Sequence, residues 1–567
     1  MSYRAKWSWY VALLAMVYAG AGLLLADVGI TTGLDMDRYA FMESLVERGS
    51  YSVDGSSFQS IDRIRVGERF YSGKPPLLNF LGAGMYGLLF HALHWSFSTR
   101  PEAVVRTLIG VFVSLPICIT LVLFFRVLSR PFGNVSGQLE ALHEHQRIRF
   151  AVIATVLLAV GSLFPPYTRV FTNHPLAALL LLGAFATALK PWSIRNGLLV
   201  GIFAGFSAAI DLLPGCFFVL GLGASCLAGM KSGSVRKDSH VKFVSGLTVG
   251  AAIPAAVHLF LNWITLGTWL TSYFVKGAFE YPGTAWQEAI NPDYDHFPGY
   301  FSALYHYTLG HRSSLLLVPL AFWGAVHLMH VVAGRAARME SRAGTSAAVC
   351  ALVGLVVLVP LFSVGLAGAS YGNRHLLPVL PLLYAYLPHE WLVGRSLMRR
   401  AGFAATALWS TGIGLLGALS PWTQYTMSVY APLDVAAEQL ARQGRSRAAE
   451  WIVNHTAPNP AMGYQELGNR HWKYGFAVEA LADHQMALKI QPRRGPSLFA
   501  GGFIARQLGN AEVSVAMLKR LVDQEPDNPA AWNELAKSYE LAGNAEEAAS
   551  CRKSAAGLRA AFGNSSR

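Results

Sequence analysis

The stretch Leu467–Pro492 reads LGNRHWKYGFAVEALADHQMALKIQP, and it decides the architecture of the C-terminal part of the chain. Small and apolar residues recur at helical spacing up to Gly475, Ala480 and Ala487 continue the pattern beyond it, and Pro492 closes the unit. The same punctuation returns downstream. Pro458, Pro492 and Pro526 stand 34 residues apart, as do Gly475, Gly509 and Gly543. That period marks a helix-turn-helix unit that cannot bury its apolar face alone and stacks on its neighbours into a solenoid. Three such units fill 458–567, and 424–457 is expected to be a linker with a partial cap helix.

Upstream the chemistry changes. Hydrophobic residues make up 53% of the 567 residues and charged residues only 14%, against about 25% charged in a soluble domain. Apolar runs of roughly 18–25 residues, long enough to cross a bilayer, recur through 1–423. They begin near Trp9, Pro75, Ala103, Phe150, Pro175, Asn196, Leu213, Phe243, Ser314, Ala347, Leu376 and Gly402. The expected fold is all-α: a polytopic transmembrane domain of about 11–13 spans followed by the solenoid. The run from Trp9 to Val28 lacks a cleavage site and reads as a retained first helix.

The net charge of +13 does not imply nucleic acid. The basic residues form no stripe with interleaved aromatics, but sit between apolar runs, as the positive-inside rule requires of cytoplasmic loops. One set of connections carries Arg126, Arg130, Lys190, Arg195, Lys231, Arg335 and Arg399. The other set, with its carboxylates and aromatics, falls outside: a first outer loop over 30–74 and a large one over 270–312. The chain then ends outside, which places the repeats there too. Segment 75–96 alone conflicts with the alternation and reads as re-entrant, broken or misbounded. The five cysteines have neither disulfide-framework nor metal-site spacing.

The first outer loop contains TTGLDMDRYAFMESLVERGSYSVDGSSFQSIDRIRVGERFYSGKPPLLNFL. Asp35 and Asp37 stand where the first helix leaves the membrane, where a carboxylate is costly to desolvate without a metal, a base role or a cationic partner. Spacing alone favours the plainer reading of two solvated helix caps. Pro75 and Pro76 fix Lys74 at the membrane surface, as a phosphate ligand or as a snorkelling anchor. Further on, Asn173 and His174 precede an apolar run, Asp211 ends a helix, and Arg374 opens the segment YGNRHLLPVL with a fork suited to phosphate. For His174 and Arg374 structural roles stand beside these readings.

The order DMDRYA…ERGSY…FYSGKPPLLNFL resembles the first loop of GT-C glycosyltransferases, in particular the bacterial aminoarabinose transferases and, more distantly, the protein O-mannosyltransferases. The resemblance covers roughly Trp9 to Lys190 well and the later spans in pattern only. It implies that Asp35 is the catalytic carboxylate with Asp37 beside it, and that Lys74 and Arg374 hold a donor phosphate. The 34-residue units are similarly identified as tetratricopeptide repeats. Family members often carry an acidic residue where this chain has Asn173-His174, which puts a carboxylate metal site in doubt; a divalent cation stays an open cofactor. Asn173, His174 and Asp211 are then substrate or ion contacts.

The implied reaction moves a sugar from a polyprenyl-phosphate donor, in membrane lipid, to a hydroxyl of a glycan, lipid or protein, with inversion. The acceptor would be held by the repeats, and the enzyme would lie in a bacterial inner membrane with its catalytic loops and repeats periplasmic. The rival readings are an O-antigen ligase or polymerase and a non-enzymatic membrane scaffold acting through its repeats. Charged residues gather at outer helix ends rather than mid-span, which disfavours a transporter.

Overall fold

A computed structural model describes residues 3–28, 33–58, 60, 62–130, 143–232, 237–275, 277–279, 281, 314–335, 341–358, 374–389, 396–422 and 426–564. The chain divides into two compact units, Met1–Trp422 and Thr423–Arg567. Its only sheet among the described residues is a two-stranded hairpin, so the protein is all-α.

The first unit opens with α1 (Tyr3–Leu24), α2 (Gly33–Arg48), the hairpin β1 (Arg63–Val66) and β2 (Arg69–Ser72), and α3 (Pro76–Leu93). In the hairpin Arg63 pairs with Ser72 and Val66 with Arg69. Next comes α4 (Pro101–Ser129), with a π-turn over Gly110–Ser114. Pro116, just beyond the turn, has no N–H to offer the preceding carbonyls, and the wide turn absorbs that mismatch. Then follow α5 (Glu144–Val160), α6 (His174–Ala188), α7 (Ile194–Ile210), α8 (Leu212–Ser232), α9 (Lys237–Leu266), α10 (Pro319–Arg335), α11 (Ser341–Leu358) and α12 (Leu397–Gly417).

Helices α7 and α9 meet backbone to backbone. A Cβ on Gly197 would fall 2.1 Å from the Phe243 carbonyl and one on Gly201 2.3 Å from that of Leu247. Gly246 and Gly250 face Ile194 and Leu198 in the same way, at 2.1 and 2.2 Å. Small residues four apart on both partners allow this approach.

Among the described residues, four helices are long and apolar enough to cross a membrane: α1, α3, α4 and the part of α9 over Asp238–Leu266. Helix α1 leaves Trp9 67% and Val17 61% exposed, an apolar face that water does not favour. The span expected near Leu376 is not one long helix. It is a 3-10 turn over Arg374–Val379 followed by a short helix over Leu380–Tyr384. Pro378 and Pro381 break the hydrogen-bond ladder there, and every residue of the segment except the half-buried His375 is buried. Tyr384 fastens it, donating to the Gly161 carbonyl at 2.5 Å.

The second unit contains, among the described residues, eight helices: α13 (Ala431–Ala441), α14 (Arg447–Thr456), α15 (Pro460–Lys473), α16 (Ala477–Ile490), α17 (Gly495–Gln507), α18 (Ala511–Gln524), α19 (Pro529–Leu541) and α20 (Ala545–Asn564). Gly475, Gly509 and Gly543, at φ of +87°, +77° and +81°, make the left-handed turns inside successive pairs. Asn459 and Asn528 cap the first helix of their pairs, accepting from Ala461 and Met462 N–H and from Ala530 and Ala531 N–H. The stretch 424–457 holds the complete pair α13–α14, whose Ala437, Ile452 and Val453 share one core with Tyr464 and Leu467. A second core joins Leu498, Leu518, Leu521, Leu535 and Cys551.

Candidate functional site

Helix α2 (Gly33–Arg48) follows the first span; its first turn carries Asp35, and Asp37 opens the second. Residues two apart on a helix point to different faces. Asp37 shares its face with Phe41, and Asp35 shares its face with Tyr39, on whose hydroxyl its charge acts. Both carboxylates are buried, Asp37 completely and Asp35 to 7% exposure.

Asp37 Oδ2 accepts a hydrogen bond from Ser72 Oγ at the end of β2. Its Oδ1 accepts none among the described residues. Asn79 on α3 donates to the same serine at 2.9 Å. Lys74 lies between, in the connection held by Pro75 and Pro76, and its Nζ pairs with Asp62 Oδ2 at 2.9 Å. Burial pushes the Asp37 carboxyl up to about 7, against the lowering effect of Lys74 and the Ser72 hydroxyl. A cleft of about 10 Å³, lined by Phe41, Tyr51, Ser72, Lys74, Asn79 and Thr265 among others, opens beside this group. That volume holds about one water.

Arg38 connects this cleft to the second cluster. Its Nη1 donates to Asn79 Oδ1 at 2.9 Å, and its Nη2 donates to Asn173 Oδ1 at 3.3 Å. Asn173 Nδ2 in turn donates to the Ile210 carbonyl at 3.2 Å, at the end of α7. The next residues in each segment meet directly: His174 Nδ1 lies 2.6 Å from Asp211 Oδ2. The rings of His174 and His375 stand edge to face at 5.6 Å. Arg374, only 9% exposed, acts electrostatically on both His174 and Asp211. Its Nη1 has no hydrogen-bond partner among the described residues.

Six of the seven residues singled out in the sequence thus fall into two groups, and Asp35 stands apart on the other face of α2. Lys74 lines the cleft with Asp37 beside it; Asn173, His174, Asp211 and Arg374 form the cluster at the ends of α6 and α7. Lys74 and Arg374 each answer to a different carboxylate rather than to each other. Sequence reading passed over four residues of the network: Arg38, Asp62, Ser72 and Asn79. Helical phase from Asp35 would have exposed Arg38 three positions on, whereas nothing local marks Asp62 or Asn79. The aromatic stretch of the large outer loop over 282–312 lies outside the described residues. The start of that loop straps the hairpin: Ser272 Oγ donates to the Gly73 carbonyl at 2.7 Å, Arg65 N–H to the Ala278 carbonyl at 2.8 Å, and Tyr281 to the Arg63 carbonyl at 2.8 Å.

Among the described residues no group of three or more His, Cys, Asp or Glu side chains is placed to hold a metal ion. No protein-family model matches the chain, and no curated protein matches it.

Proposed function

We propose that this chain is a membrane glycosyltransferase that moves a sugar from a polyprenyl-phosphate donor to an acceptor hydroxyl on the outer face of a bacterial inner membrane. One observation carries the reading. Carboxylate, lysine and buried arginines, drawn from segments as far apart as residue 37 and residue 374, converge on one connected polar region. So many buried charges are costly unless they serve a ligand or a reaction.

The chemistry follows from the groups. A carboxylate takes the acceptor hydroxyl's proton as its oxygen bonds to the anomeric carbon. The bond from that carbon to the phosphate oxygen breaks, and its electron pair leaves with the lipid phosphate. Lys74 and Arg374 offset the charge that develops there. One direct displacement inverts the anomeric centre. Asp35 is the base implied by the family resemblance; the arrangement beside Ser72 favours Asp37, whose buried Oδ1 has no hydrogen-bond partner among the described residues and whose near-neutral titration suits proton abstraction at physiological pH. The C-terminal unit, read as tetratricopeptide repeats from its 34-residue period, would present the acceptor.

The test is sugar transfer by purified full-length protein in detergent, across a panel of polyprenyl-phosphate sugars. Asp37→Asn should lower kcat/KM by about 10²–10⁴-fold, and Asp35→Asn by less. A larger loss in Asp35→Asn would return the base to Asp35. Equal transfer by wild type and both variants would remove the first-loop carboxylates from the reaction, and no transfer from any donor would leave the ligase or scaffold readings.

A further inference from the structure

The cleft's lysine is already engaged. Lys74 and Asp62 meet at 2.9 Å with side chains only 8% and 17% exposed. Asp62 stands immediately before β1, its N–H donating to Ser60 Oγ at 3.0 Å. The close approach is built into the backbone: a Cβ at Gly73 would come within 2.3 Å of the Asp62 carbonyl. Glycine beside Lys74 therefore lets the Asp62 segment lie against the lysine.

On the other side stands Asp37, which feels Lys74 and Asp62 alike. One ammonium thus serves two carboxylates beside a space of about 10 Å³. A phosphate does not fit into that volume, and it would meet two like charges at close range. Either the pair is a permanent tie for the hairpin, or one carboxylate leaves when the ligand arrives. Asp37 is wholly buried and held by Ser72. Asp62 is the more exposed of the two, and its carboxylate pairs with Lys74.

We infer that Asp62 is an internal anion that occupies the donor-phosphate position at Lys74 and is displaced by a lipid phosphate. The inference rests on the reading of Lys74 as the donor's phosphate ligand. It makes Asp62 a determinant of affinity and selectivity. A ligand must bring an anion that competes with a tethered carboxylate, which a phosphate with its additional acceptor oxygens does. A neutral headgroup gains nothing by the exchange, because it would leave Asp62 and Asp37 facing each other without their cation.

The experiment measures binding of a polyprenyl phosphate without sugar to the purified full-length protein in detergent, read by tryptophan fluorescence. If the latched form makes up about nine-tenths of the unliganded protein, Asp62→Asn should tighten binding about tenfold. Lys74→Gln should abolish binding in either background. Inorganic phosphate quenching the signal in Asp62→Asn assigns recognition to the phosphate alone, and a response only to the lipid assigns it to phosphate carried at the membrane; both agree with displacement. Unchanged or weaker binding in a folded Asp62→Asn protein overturns the proposal, as does binding that survives Lys74→Gln. Asp62→Ala repeats the measurement if the amide disturbs the turn. Failure of sugar transfer alongside tightened lipid-phosphate binding would sink the transferase reading and leave the displaceable pair standing. Transfer with no Asp62 effect would do the reverse.

Discussion

Asp37 concentrates the energetic tension of the first unit in one residue. Its carboxyl titrates near 7 because burial outweighs Lys74 and Ser72. A base must be ionised to act, so log kcat/KM should climb with pH below about 7 and level off above it. Asp37→Asn should lose that rising limb, which a pH profile of sugar transfer by the purified protein reads. The stability consequence has the opposite sense. A carboxyl raised in the fold favours the folded state at low pH, and that contribution is lost as pH rises from about 4 through about 7. Asp37→Asn should therefore raise the apparent unfolding temperature at pH 8 and leave it nearly unchanged at pH 4. A variant stabilised and inactive at once would mark a site where the fold tolerates strain for function.

His484 belongs to the second unit and poses a different problem. It is fully buried on α16 with neither ring nitrogen hydrogen-bonded among the described residues, and burial pushes its imidazole down to about 4. The unfolded chain thus binds the proton more readily. Stability from this residue is complete above about 6.5 and is lost as pH falls towards about 4, by about 3 kcal/mol at most. Asp434, raised to about 7 by burial, works in the opposite direction over much of the same window. The informative quantity is therefore the difference between His484→Leu and wild type. Hydrogen exchange across 460–507 in the full chain should show wild type losing protection relative to the variant between pH 6.5 and 4.5. An unchanged difference would mean that the buried ring does not titrate.

At the scale of elements, the α7–α9 contact is the one where backbone geometry leaves least room. Gly201→Leu must push its side chain into the Leu247 carbonyl and the Ala251 N–H, which a Cβ alone would approach to 2.3 and 2.6 Å. The helices have to part, at a cost of about 3 kcal/mol, seen as a lower unfolding temperature in detergent. Gly84→Leu on α3 is the control, since nothing lies within 4 Å of its Cβ direction. The Gly-x-x-x-Gly spacing at 197–201 and 246–250 was legible in the sequence, but its pairing was not: spacing identifies a face that a partner can approach, and only packing identifies the partner. The break at Arg374–Tyr384 is the converse case. Hydropathy registers an apolar run there, whereas Pro378 and Pro381 determine that the run cannot be one helix.

At the scale of the whole molecule, we propose from the charge alternation that the first loop and the C-terminal unit share one side of the membrane. A cysteine replacing Glu68, whose side chain is 93% exposed, and one replacing exposed Glu546 should both react with a membrane-impermeant maleimide added to intact spheroplasts. A cysteine replacing exposed Arg195 should react only after lysis. Labelling of Glu68→Cys without Glu546→Cys would place the repeats inside and remove them from acceptor binding.

By itself the sequence determined what repeats and what alternates. Apolar runs, the sign of the loops between them and the regular Pro and Gly punctuation are local patterns, and helices answer to local patterns. It also marked candidates for chemistry, among them Asp37, Lys74, His174 and Arg374. Only the tertiary structure decided which of them meet. Arg38 bridging Asn79 and Asn173, His174 against Asp211, and Asp62 on Lys74 join segments through side chains whose phase and reach depend on how whole helices pack. The opposite faces taken by Asp35 and Asp37 follow from the same cause. Two carboxylates one residue apart look equivalent in a string, and a helix turns them some 200° from one another.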